Sequence, residues 1–221
     1  AGDAFPAGGE GSSGSGSQVY FVNAGGDLGI SSSWQAGLSY FTADVKHRES
    51  GGHDHGGGDE EVPSFTGDSE VVGLNLVYKW APKGNFKNRH FKLQGEYFIR
   101  DEDGHVEIEN SMPFEETSYR GEQKGYYLQA IYQWRPQWST GLRYDWLSSD
   151  NKGSDPDVLE EVGLSDEGID PERWSALLQW SPSEYSRVRL QYNRDESYED
   201  SDDQIFLQYI MSLGAHGAHK F

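Results

Sequence analysis

The stretch His47-Arg-Glu-Ser-Gly-Gly-His53-Asp54-His55-Gly-Gly-Gly-Asp59-Glu60-Glu61 gathers imidazoles and carboxylates on a glycine-rich backbone. Neutral imidazole ligates Zn²⁺, Cu²⁺ or Ni²⁺, and a carboxylate can complete the shell. His47, His53 and His55 with Asp54, Asp59 or Glu60 are therefore candidate metal ligands. The glycines leave such a site unpreorganised, which suits surface capture of moderate affinity better than structural zinc. The plain alternative is a solvated polar loop. A second pair, His216 and His219, has i, i+3 spacing that fits one turn, a strand end or a tail. Zinc, loosely bound or transported, is the expected metal, with none structural. The absence of Cys removes thiolate ligands and disulfides together.

Other chemistries find little support. There is no Gly-x-Ser-x-Gly elbow, no phosphate-binding Gly-x-x-x-x-Gly-Lys loop and no His-Glu-x-x-His. Acid pairs such as Glu60/Glu61 and Glu160/Glu161 read as solvated carboxylates, so no enzyme is expected. Residues 155–170 lack the Asp-x-Asp-x-Asp-Gly spacing of a calcium loop and suit a short helix instead. With 18 Lys+Arg against 37 Asp+Glu, the net charge is −19. Nucleic acid is disfavoured as a partner, because phosphates are held by Lys/Arg clusters; divalent cations fit better.

The elements that would carry these residues are strands. Only 34% of residues are hydrophobic and mean hydropathy is −0.79, yet aromatics make up 14%, too many for a disordered acidic chain. Residues 1–17 read as a flexible Gly/Ser-rich loop or linker, and residues 18–221 as strands and loops. Period-2 alternation is clearest over 70–80, with Val72, Leu74, Leu76, Tyr78 and Trp80 on one face and Gly73, Asn75, Val77 and Lys79 on the other. It recurs over 91–100, 126–135, 138–146, 174–180, 188–193 and 205–213, and upstream at Trp34, Ala36, Leu38 and Tyr40. Residues 18–28 are a weaker, glycine-containing candidate. Turns are short at 29–33, from 81, at 135–137 and at 181–184, and long acidic loops are expected at about 46–69, 101–118 and 148–170.

Each strand has the roughly ten alternating residues that cross a bilayer at a tilt, and no helical run is long enough to do so. Aromatics sit by the short turns: Tyr78, Trp80, Tyr132, Trp134, Trp138 and Trp180. Amphipathic rings favour a headgroup boundary; the competing reading is the packed rim of a soluble barrel. The opposite faces carry Lys92, Glu96, Arg100, Arg143, Asp145, Arg187 and Arg189, expected to line a lumen where rings of charge set ion selectivity. They are net basic although the loops are acidic, and mutual salt bridges filling the lumen are the alternative.

From Trp34 to Phe221 the chain resembles Gram-negative outer-membrane β-barrels, in its short turns, long acidic loops, final alternating strand and terminal Phe221. The fold so implied is an all-β antiparallel transmembrane β-barrel, or the C-terminal portion of a larger one, in the bacterial outer membrane. Its partners would be outer-membrane lipid and the barrel assembly machinery, which reads a C-terminal aromatic such as Phe221. The last eight residues lack the further aromatics often found in that signal. More narrowly, residues 208–221 with Gly25-Gly-Asp-Leu-Gly29 and Ser33-Trp-Gln-Ala-Gly-Leu-Ser-Tyr40 look like the C-terminal part of a porin-like family linked to zinc regulation. The function this suggests is capture or passage of a small solute, favouring a divalent transition metal; the alternative is a general diffusion porin or structural barrel. Counting residues 18–28 as a strand makes the total odd, which points to the larger barrel because single-chain bacterial barrels have even numbers.

Overall fold

The computed structural model describes residues 6–9, 16–50, 62–109, 111, 113–165, 168, 170–198 and 200–212. They form nine antiparallel strands in sequence order, β1 Ser17–Leu28, β2 Ser32–Glu49, β3 Val62–Trp80, β4 His90–Glu109, β5 Glu115–Arg135, β6 Trp138–Gly153, β7 Glu172–Ser183, β8 Ser186–Glu196 and β9 Asp202–Met211. A helix of one and a half turns, α1 (Pro156–Glu161), follows β6, its N-terminus capped by the Asp155 carboxylate accepting from the Asp157 amide. The weaker candidate over 18–28 is thus a full strand, paired to β2 along its length. β1 and β9 are the edges of the sheet and do not pair with each other. In lipid there is no water to satisfy a free edge, so a membrane-embedded form requires both edges to be covered.

At one end three of the four turns are short, whereas the β3–β4 connection takes residues 81–89, longer than the expected short turn. Gly29, at φ +71, turns β1 into β2, and Pro136-Gln137 links β5 to β6 with Gln137 at φ +72. At the other end the expected long loops are partly strand, and that over 148–170 is strand only to Gly153. β2 and β3 take all of residues 46–69 except 50–61, and β4 and β5 take all of 101–118 except 110–114.

These extensions escape a simple pattern because the alternation changes phase. In the lower part of β4 the odd residues are apolar, with Phe91, Leu93, Tyr97 and Ile99 on the outer face; higher up, even residues Val106 and Ile108 are buried on the inner face while Asp101 and Asp103 point outward. β2 and β5 switch likewise, from Leu38 and Tyr40 outside to Ala43 and Val45 inside, and from Tyr126 and Leu128 outside to Tyr119 inside. The switch marks where the outer surface passes from an apolar medium into water.

Below it the outer face is apolar and uncovered: Leu74 is 53% and Leu142 62% exposed. Two aromatic belts bound this zone. The lower holds Trp134, Trp138 and Trp180, with neighbouring ring centres 6.1 and 6.2 Å apart. The upper holds Tyr126, Tyr144, Trp146 and Trp174, with centres 4.5–5.8 Å apart. Trp138 and Trp146 on β6 are eight residues apart, about 27 Å along a strand at ~3.4 Å per residue. At a tilt near 40° this spans about 20 Å, close to the apolar band of outer-membrane barrels.

Above the switch the core lies on the inner face. Ala43, Val45, Phe65, Val106, Tyr119 and Leu159 of α1 form one buried cluster, and Ala7 packs on it. Pro6 adds a backbone carbonyl that accepts from Arg48, so residues 6–9 fold back on this end.

Candidate functional site

Two groups of polar residues stand out, one along the inner face within the membrane zone and one at the upper end of β2–β4. Lys92, Glu96, Arg143, Asp145, Arg187 and Arg189 all occupy the inner, polar face, as the alternation requires. Registered pairing lines up Asn75, Glu96, Tyr127, Asp145, Arg173 and Asp195 across six strands. Arg143 donates to Asp145 at 2.9 Å and stands 3.9 Å from the Tyr127 ring centre; Arg173 donates to Asp195 at 2.9 Å. The expected charge ladder is therefore partly neutralised within itself, through Arg173 and Asp195 that the sequence reading did not single out. Nearer the short turns the balance is basic. Lys79 lies opposite Lys92 in register, and Arg189 donates to the neutral Gln179 at 2.9 Å, with Arg187 two residues away.

Arg100 lies above the upper belt in a different setting. Its guanidinium donates at 2.6 Å to Glu102, which also receives a two-pronged bond from Arg48 at 2.7 and 3.1 Å. The Glu102 side chain is 2% exposed, and Arg48 lies 4.7 Å from the Phe65 ring centre. Burial alone would push the Glu102 carboxyl up, but the Arg48 hydrogen bonds and the charges of both arginines outweigh it and hold the carboxyl below the ordinary range. The adjoining Tyr119 phenol is pushed up to about 12 by burial first and by the Glu102 charge second. This triad locks β2 to β4 across β3. Glu102 continues the parity of Glu96 and Arg100, a signal the sequence reading missed by assigning residues from 101 onward to a loop.

Of the candidate metal ligands, His47 lies two residues before the end of β2, whereas His53, Asp54, His55, Asp59, Glu60, His216 and His219 lie outside the described residues, as does the terminal Phe221. A bulge between Val45 and Arg48 opposes Lys46 and His47 to Thr66, and the His47 amide donates to Thr66 Oγ1 at 3.1 Å. His47 adopts φ +54, which side chains with a Cβ rarely take. Its Nε2 meets Glu109 Oε1, and its Nδ1 lies 3.8 Å from Glu49 Oε1. Glu107, on the same face of β4, accepts from Ser64 Oγ at 3.4 Å. Among the described residues His47 thus meets Glu109, 62 positions away, as well as Glu49 on its own strand.

The sheet, its two aromatic belts and its polar inner face define the class: an outer-membrane β-barrel fold. A search of solved structures supports it. The chain is similar to a loop L8 deletion mutant of OmpT, an outer membrane protein of Vibrio cholerae, with a TM-score of 0.52 at 10% identity, covering 88% of this chain and 53% of that one. In sequence it is similar to an uncharacterised protein of Aquifex aeolicus, 25% identical over 172 residues, 74% of this chain and 33% of that protein. The chain thus spans about a third of that relative and about half of the solved barrel. No family model matches, and the link to a zinc-regulated family is not among these similarities.

Proposed function

We propose that this chain forms wall in a bacterial outer-membrane barrel that captures or passes a small solute, with a divalent transition metal, zinc above others, as favoured cargo. The observation that carries the reading is the opposition of faces. One face of the membrane zone is apolar between two aromatic belts, and the other is lined by Lys92, Glu96, Arg143, Asp145, Arg187 and Arg189, side chains that call for water. The acidic upper strands, with Glu70, Asp101, Glu122 and Asp150 in one registered row, would concentrate cations at the mouth. The histidines and carboxylates of residues 47–60 are the proposed capture groups. No catalytic step is part of this reading.

One observation favours a second reading, a general diffusion porin. The basic lower wall of Lys79, Lys92, Arg187 and Arg189 repels divalent cations. Flux into vesicles carrying the full chain separates the two. Zinc entering faster than a neutral sugar of similar size supports metal passage, equal rates support the porin, and no flux of either rejects both. Replacing His47, His53 and His55 by Ala should abolish zinc binding if those side chains capture it, and unchanged affinity would reject that role.

A further inference from the structure

At the outer end of the sheet one ligand atom each from His47, Glu107 and Glu109 lies within 4.8 Å of the others. The three residues come from two strands that are not neighbours. Between them runs β3, whose Thr66 accepts from the His47 amide and whose Ser64 donates to Glu107. The bulge in β2 aims the imidazole across β3, and the i, i+2 spacing of Glu107 and Glu109 puts both carboxylates on the outer face of β4. All three side chains are partly exposed, so an ion can reach them.

We propose that His47, Glu107 and Glu109 form a binding site for a single divalent transition-metal ion of the zinc class. The donor set is one imidazole nitrogen and two carboxylate oxygens, which suits Zn²⁺, with Cu²⁺ and Ni²⁺ as close competitors; Mg²⁺ and Ca²⁺ prefer oxygen alone. Two carboxylates beside a neutral imidazole leave a local charge near −2, which a divalent ion cancels. With the ion on Nε2, the Nδ1 side of the ring faces Glu49, and a carboxylate there orients the imidazole and raises its basicity. Three protein ligands leave one position of a tetrahedral shell for water, so the ion is exchangeable, as capture and release require. The site's biological role rests on the metal-capture reading above, but the site itself uses none of residues 51–61.

The test is a ZnCl₂ titration of the full chain in detergent micelles against a chromophoric chelator, in excess Mg²⁺. The wild type should hold one Zn²⁺, and His47→Gln, Glu107→Gln and Glu109→Gln should each weaken it at least about tenfold, since even outer-shell changes cost 10- to 100-fold. Heat-dependent gel mobility shows which variants fold, and Glu107→Gln stands in if Glu109→Gln does not. A His53→Ser/His55→Ser variant should keep the site. Wild-type affinity in the folded His47 and Glu107 variants, or loss of the site only in the His53/His55 variant, overturns the proposal. Retained binding with no zinc flux into vesicles sinks the transport reading and leaves the site standing.

Discussion

Glu102→Gln tests whether the buried triad, rather than strand pairing alone, holds the upper end of the sheet. The carboxylate is 2% exposed and joins two guanidiniums that are themselves only 12% and 25% exposed, on Arg48 and Arg100. An amide cannot balance either charge. Removing one partner of a buried ion pair costs about 3–5 kcal/mol because the remaining charge is stranded. The arginines keep some access to water, so the lower figure, about 3 kcal/mol, is the better expectation here. The Arg100 Nε is already buried without a hydrogen-bond partner among the described residues, so the site has little spare capacity to absorb the loss. At 1.36 kcal/mol per factor of ten, this raises the local opening constant about 10²-fold. The assay is amide hydrogen exchange of the protein in micelles. Val45 and Val106 should exchange on the order of 10² faster, while Leu128 and Leu142, in the membrane zone, should not change. Acceleration below about threefold at Val45 and Val106 would refute the reasoning and mean that the strand ladder alone holds this end.

Three further outcomes follow from the same geometry. Leu142 lies midway between Trp138 and Trp146 on the uncovered face, so Leu142→Arg should destabilise the inserted protein by about 2–4 kcal/mol in urea titrations in vesicles; Gln94→Lys, on the polar face, should cost under about 1 kcal/mol. The Glu102 carboxyl is held below its ordinary value, so the unfolded upper end takes up its proton first: the stabilisation is whole above about pH 4.3 and is lost as pH falls through the lower folded value. Loss of near-ultraviolet circular dichroism from Tyr119 on acid titration checks this, and a signal lost already at neutral pH would contradict it. Tyr119, raised to about 12, carries the opposite sign: its contribution is whole below the ordinary phenol value of about 10 and is lost as pH rises through 12. The difference in tyrosinate absorbance between the wild type and Tyr119→Phe should therefore appear near pH 12, and an increment near pH 10 would count against burial of the ring.

That these strands have two chemically different faces is legible in the residue order alone. Alternation has a period of two, and in residues 70–80 or 91–100 it can be read without knowing any neighbour. The aromatics beside the short turns and the polar set from Lys92 to Arg189 follow from the same periodicity. The upper ends were harder because the apolar residues change parity between Ile99 and Val106: a run whose inside and outside exchange chemistry looks, one residue at a time, like a loop. Which distant residues meet depends instead on how the strands pair. Hydrogen-bond register across β2, β3 and β4, together with one inserted residue in β2, places His47 beside Glu107 and Glu109 and threads Arg48 onto Glu102. A slip of one position in either pairing would turn those side chains to opposite faces, and no property of the residues taken singly fixes that register.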